Sequence, residues 1–138
     1  MRRLGRLLAL PGLGLLAGGM LFFSAVMAPL VFTRLPLAIG GPFIRTAFPV
    51  LYLYCLITAG LSAFGYLLLG RGRAALVPGV TILGTLWSWF WLMPRLDAWR
   101  VAGNEAAFAR GHDVSTWGFG LEFFLALLLL IREGAKKS

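Results

Sequence analysis

Four long stretches of this chain carry almost no charge, and they decide what it can fold into. Arg6 and Arg34 enclose residues 7–33, Arg45 and Arg71 enclose 46–70, and Arg73 and Arg95 enclose 74–94; Asp113 and Arg132 enclose 114–131, where Glu122 is the one charged residue. A helix needs about 20 predominantly apolar residues, usually about 17–25, to cross the hydrocarbon core of a bilayer. The stretches therefore predict an all-α membrane protein, a single four-helix transmembrane bundle over 1–138 with helices at about 7–32, 46–70, 74–93 and 114–131. With 59% hydrophobic and 13% charged residues, a soluble fold would have far more apolar surface than it can bury.

The formal charge of +8 would suggest nucleic acid in a soluble protein. Here the basic residues stand singly or in small groups at the ends of apolar runs, which suits headgroup anchoring and offers no face along which phosphates could line up. The expected partners are the lipid bilayer and either other membrane subunits or further copies of the chain, with no nucleic acid. Eight Lys and Arg fall on the termini and the second connection, against five on the first and third. The positive-inside rule then puts both termini in the cytoplasm, with a bacterial inner or plasma membrane as the expected location. Arg2, Arg3 and Arg6 before an apolar stretch imitate a signal peptide, but the stretch is too long and no small-x-small site precedes Pro29, so an uncleaved first helix is expected. Cys55 is the only cysteine, which excludes intramolecular disulfides and a four-thiolate metal site.

Gly14 and Gly18 form a small-xxx-small pattern on the first helix, and with Gly12 they leave a thin surface where another backbone can approach, within the bundle or from a second copy. Pro36, Gly40, Gly41 and Pro42 predict a broken connection over 33–45, bent or dipping into the interface. Arg71-Gly72-Arg73 predicts a very short turn, making helices two and three antiparallel neighbours. Trp87, Trp89, Phe90 and Trp91 before Pro94 and Arg95 suit a membrane boundary, with an aromatic cofactor box as the alternative. Residues 95–113 read as a polar loop with a short surface helix, and Arg132, Glu133, Lys136 and Lys137 as a solvated tail.

Among residues that could carry chemistry, Glu122 stands out. Nine residues at about 1.5 Å each put it about 13 Å into the last predicted helix, near the midplane. A lone carboxylate there is costly and is expected to face the bundle interior. Gly118 and Ser115 share its face, four and seven residues earlier, so the stripe lines a proton or cation path or, equally, holds a protonated glutamate bonded to a neighbouring hydroxyl. His112 and Asp113 stand at the start of the same predicted helix, where Asp113 or Ser115 is placed to cap it and the imidazole to titrate or bind metal. As the sole histidine, His112 is a weak metal candidate that would need thioether help from Met20, Met27 or Met93. No nucleophile–base pair, phosphate loop or carboxylate pair is readable, so no enzyme and no cofactor is assigned.

The order and spacing of further residues carry a resemblance. Phe22-Phe23, Ala28-Pro29-x-x-Phe32, Leu35-Pro36, Gly40-Gly41 and Phe48-Pro49 with Tyr52, then Met93-Pro94-Arg95 and Phe108 with His112 and Ser115, resemble the transmembrane-protein-205-like family, whose bacterial members form the domain-of-unknown-function 4149 group. The resemblance covers about residues 14–130 and implies a four-helix membrane protein; a eukaryotic relative is associated with resistance to platinum drugs. Where that family would place an asparagine after the His and Ser of the last helix, this chain has Phe119, and Glu122 is its buried polar group instead.

Two functions follow as expectations. Four helices and one buried carboxylate favour an accessory subunit of a larger membrane assembly, such as a respiratory complex. The alternative is an autonomous transporter, channel or metal- or drug-resistance protein that uses Glu122 and His112.

Overall fold

The computed structural model describes residues 1–135; Lys136 and Lys137 of the expected tail lie outside the described residues. Four helices follow one another: α1 (Arg2–Arg34), α2 (Leu37–Leu68), α3 (Gly72–Val101) and α4 (Glu105–Gly134), all long and apolar enough to cross a membrane. No strand occurs among the described residues. At about 1.5 Å per residue these helices measure about 45–50 Å, enough for the hydrocarbon core and both headgroup layers. Each helix packs on its neighbour in the chain, and α4 closes the ring against α1. Leu7, Val50, Leu67, Leu83, Phe90 and Trp117 point outward, as expected where lipid replaces water around the bundle.

The helices reach well beyond the stretches expected from charge. α2 begins at Leu37, with Pro36 as its N-cap, and runs through Gly40, Gly41, Pro42 and Pro49, so no broken connection spans 33–45. Each internal proline removes one backbone bond, and in a bilayer an irregular backbone would leave many more unmet. The polar loop expected over 95–113 is likewise absent: α3 continues to Val101 and α4 starts at Glu105. Asn104, not Asp113 or Ser115, caps α4 by accepting from the Ala107 N–H at 3.1 Å.

Two prolines that were expected to mark helix ends are absorbed by wide π turns. Phe23–Met27 precedes Pro29 and Ser88–Leu92 precedes Pro94, and the extra residue in each turn eases the ring past the preceding carbonyls. Both tight turns end in a glycine with positive φ, Gly70 at 68° and Gly103 at 67°. The Arg71 N–H reaches back to the Tyr66 carbonyl and the Asn104 N–H to the Trp99 carbonyl, each at 2.9 Å. This closure needs a left-handed residue that glycine supplies without steric penalty.

One half of the bundle is solid. Ala9, Leu13, Leu16, Ala59, Tyr66 and Ala126 are buried there, and the backbones of α1 and α2 nearly touch. A Cβ on Gly12 would stand 2.8 Å from the Ser62 nitrogen and 2.9 Å from the Thr58 oxygen, and one on Gly65 would overlap the Ala9 backbone. The Ser62 hydroxyl donates to the Ala9 carbonyl at 3.0 Å. Of the three glycines expected on the thin face of the first helix, Gly12 makes the close approach, with Gly65 opposite, whereas a Cβ on Gly14 or Gly18 would meet nothing within 4 Å. Arg71 seals this end with a two-pronged bond to Glu133 and lies over the Tyr66 ring at 5.3 Å. Glu133, expected in a solvated tail, is thus held against the α2–α3 turn, its side chain 6% exposed.

Candidate functional site: a cavity in the open half of the bundle

Toward the α1–α2 and α3–α4 turns the interior is hollow. A cavity of about 1010 Å³ lies between all four helices. Both π turns lie beside it, with Phe23 and Ser24 on one wall and Ser88 on another. The solid half of the bundle lies below it, so the lining residues nearest that half, Met20, Tyr52, Gly84 and Glu122, form its deep end.

Glu122 is at that deep end. It is the eighteenth residue of α4, about 25 Å along the helix from the α3–α4 turn. Its carboxyl rests on α3 where Gly84 has no side chain: a Cβ there would overlap Oε1 and stand 3.0 Å from Cδ. Thr85 and Ser88 continue the same wall, and Tyr52 faces it from α2. Among the described residues, no protein group hydrogen-bonds the Glu122 carboxyl or the Thr85 hydroxyl.

The mouth is charged. Arg45 of α2 places Nε 3.3 Å from Asp97 Oδ1 of α3, off the line of a hydrogen bond. Arg100 lies over the Phe108 ring at 4.7 Å, and His112 stacks on the same ring at 6.1 Å. Arg45, Asp97, Arg100 and His112 all line the cavity. Between mouth and floor runs an aromatic ladder, Phe23 to Phe48 at 5.5 Å, Phe48 to Tyr52 at 5.8 Å and Tyr52 to Trp89 at 5.9 Å.

The structure gathers Glu122, His112 and Ser115 around this one space, together with Pro29, Phe32 and Phe48 of the motif residues. Asp113, exposed on α4, does not line it, and Pro36, Pro49 and Pro94 shape the helices instead. Among the described residues no three His, Cys, Asp or Glu side chains come together, so His112 would have to draw any further metal ligand from other groups. Met20 is wholly buried at the junction of the two halves.

Gly84, Thr85, Arg45, Asp97 and Arg100 escaped sequence reasoning. Thr81, Thr85 and Ser88 do recur at helical spacing in the third run, a polar stripe that marks an inward face. The Arg45–Asp97 pair joins residues 52 positions apart and left no local signal.

Comparison with known proteins adds one finding. The model of the family described as Domain of unknown function (DUF4149) matches residues 12–105, and the chain belongs to that family. No curated protein matches the chain, and neither does any solved structure.

Proposed function

We propose that this DUF4149 protein works by itself as a small membrane receptor or carrier, taking a small amphipathic molecule into the cavity between its four helices. The observation that carries the reading is the Glu122 carboxyl, seated on Gly84 at the floor of a cavity of about 1010 Å³ with no hydrogen bond from the described residues. Ligand pockets for drug-sized molecules occupy about 300–1,000 Å³, mostly apolar with a few convergent polar groups. An ionisable residue inside a membrane is by default a candidate functional site. In this reading the mouth faces away from the cytoplasm, as the Lys and Arg count of the connections favours, the membrane is a bacterial plasma membrane, and the motif around Pro29 and Phe48 supports kinship with the transmembrane-protein-205-like group.

The test is occlusion. A side chain added at Gly118, which lines the cavity and whose Cβ would meet nothing within 4 Å, fills the space without pressing on a neighbouring helix. Native mass spectrometry of the protein extracted from its own membrane is expected to find a small molecule on the native chain and none on Gly118→Phe. An identical ligand load on both would overturn the reading.

The accessory-subunit function has one observation in its favour, the free surface at Gly14 and Gly18, where another helix fits closely. It expects Gly14→Leu with Gly18→Leu to release stoichiometric partner subunits on gentle extraction; a native chain that purifies without such partners removes it.

A further inference from the structure

We infer that the cavity floor receives the positive centre of a hydrophobic organic cation, with the Glu122 carboxylate as its counter-charge and the Phe48–Tyr52 wall as its apolar bed. The inference rests on the proposed role of the cavity and names the class of molecule that enters it.

The polar atoms at the floor are acceptors or hydroxyls. Glu122 supplies the carboxylate, and Thr85, 4% exposed yet lining the cavity, holds a hydroxyl with no hydrogen-bond partner among the described residues. Ser88 adds a second hydroxyl one turn on. The arginines of the lining, Arg45 and Arg100, stand at the mouth and are already engaged by Asp97 and the Phe108 ring. An anion drawn to the floor would leave them and meet a carboxyl instead. A cation finds the opposite charge together with aromatic faces, whose electron-rich surfaces attract positive groups.

Size decides between a bare ion and an organic one. An alkali ion with its ligands would fill a small fraction of about 1010 Å³, and the apolar walls would remain bare. An aromatic or alkyl-substituted ammonium or phosphonium fills the space and uses both features.

Protons compete for the same carboxylate, so binding should weaken as pH falls. The groups around it are few. Tyr52 lines the same space from α2 with Cys55 buried one turn further along that helix, α3 offers uncharged Gly84, Thr85 and Ser88, and α1 offers Met20, Phe23 and Ser24. His112 and Asp113 lie on α4 itself, ten and nine residues toward the mouth, where Arg45, Asp97 and Arg100 also stand.

Tetraphenylphosphonium and tetraphenylborate have nearly the same shape and opposite charge, which makes them a matched pair of probes. With the purified full-length protein in nanodiscs, the phosphonium is expected to bind saturably and the borate at least about tenfold more weakly. Glu122→Gln should weaken the phosphonium about tenfold or more, as loss of one partner of a buried charge pair does. The decline at low pH should vanish in Glu122→Gln and persist in His112→Gln. Borate bound as well as phosphonium, blocked by Gly118→Phe and indifferent to Glu122→Gln, would overturn the cation and leave the cavity reading intact. Neither probe bound, or both bound equally with Gly118→Phe in place, would overturn the two together.

Discussion

The Glu122 carboxyl occupies the place that a side chain at position 84 would need, so these two residues of α4 and α3 compete for one space. The conflict in Gly84→Ala is with the end of a flexible side chain, which can swing aside into the cavity. Gly84→Ala is therefore expected to change unfolding stability by no more than about 1 kcal/mol, while moving the carboxyl off the floor and weakening phosphonium binding. Ligand titration beside thermal unfolding in detergent checks both halves, and in a Glu122→Gln background the alanine should have no further effect on binding.

Backbone, by contrast, cannot swing aside. A Cβ at Gly12 or Gly65 meets α2 or α1 main-chain atoms, and overpacking of that kind costs about 1–3 kcal/mol. Gly12→Ala and Gly65→Ala should each lower stability by that order, while Gly14→Ala and Gly18→Ala stay within about 0.5 kcal/mol because their sites are open. Ser62→Ala, which removes the bond to the Ala9 carbonyl, should cost about 0.6 kcal/mol, the mean for interhelical hydrogen bonds in a bilayer. Thermal unfolding of the purified variants ranks all five.

Arg71 ties the α2–α3 turn to the end of α4 through both carboxylate oxygens of Glu133. Its side chain is 34% exposed, so solvent and headgroups screen part of the attraction, and Arg71→Ala is expected to cost about 1–2 kcal/mol. Arg71→Lys should recover only a part, since an ammonium cannot form the two-pronged contact. Hydrogen exchange at residues 66–75 should quicken in the alanine variant, and the cavity half should stay as protected as before.

Helix number, order and the inward turn of Glu122 were legible because charge-free length and a lone buried carboxylate are one-dimensional signals. The helix limits were not. Gly40, Gly41, Pro42 and Pro94 carry the turn chemistry of soluble proteins, and the bilayer overrides it by penalising every unmet backbone group more than it penalises a proline. The polar residues of 95–113 were read as a loop because their charges interrupt the apolar run, yet a helix end beyond the hydrocarbon core carries charges freely. Trp99 and Leu96 pack onto Gly111, a contact that zips α3 to α4 there. The mouth stayed hidden for the same reason as the Arg71–Glu133 bond, since both join residues distant in sequence. Gly12 and Gly14 looked alike in sequence because rotation about the helix axis, set only by the partner helix, decides which glycine faces it.

At the mouth, Arg45 and Asp97 stand 3.3 Å apart with side chains 41% and 43% exposed. A pair that open contributes about 0–1 kcal/mol, too little to hold the bundle together, so its worth lies in the field it sets at the entrance. Asp97 offsets one of the two arginines there. Asp97→Asn should leave the melting temperature nearly unchanged and slow phosphonium entry, because Arg45 and Arg100 then repel the probe together. Arg45→Gln should have the opposite effect on the rate with an equally small effect on stability. Both changes should shrink as salt is raised, since screening at 0.1 M acts over about 10 Å. Stopped-flow binding at low and high salt separates the cases: opposite shifts that fade with salt make the pair an electrostatic filter, and equal slowing by both substitutions would make it a mechanical latch between α2 and α3.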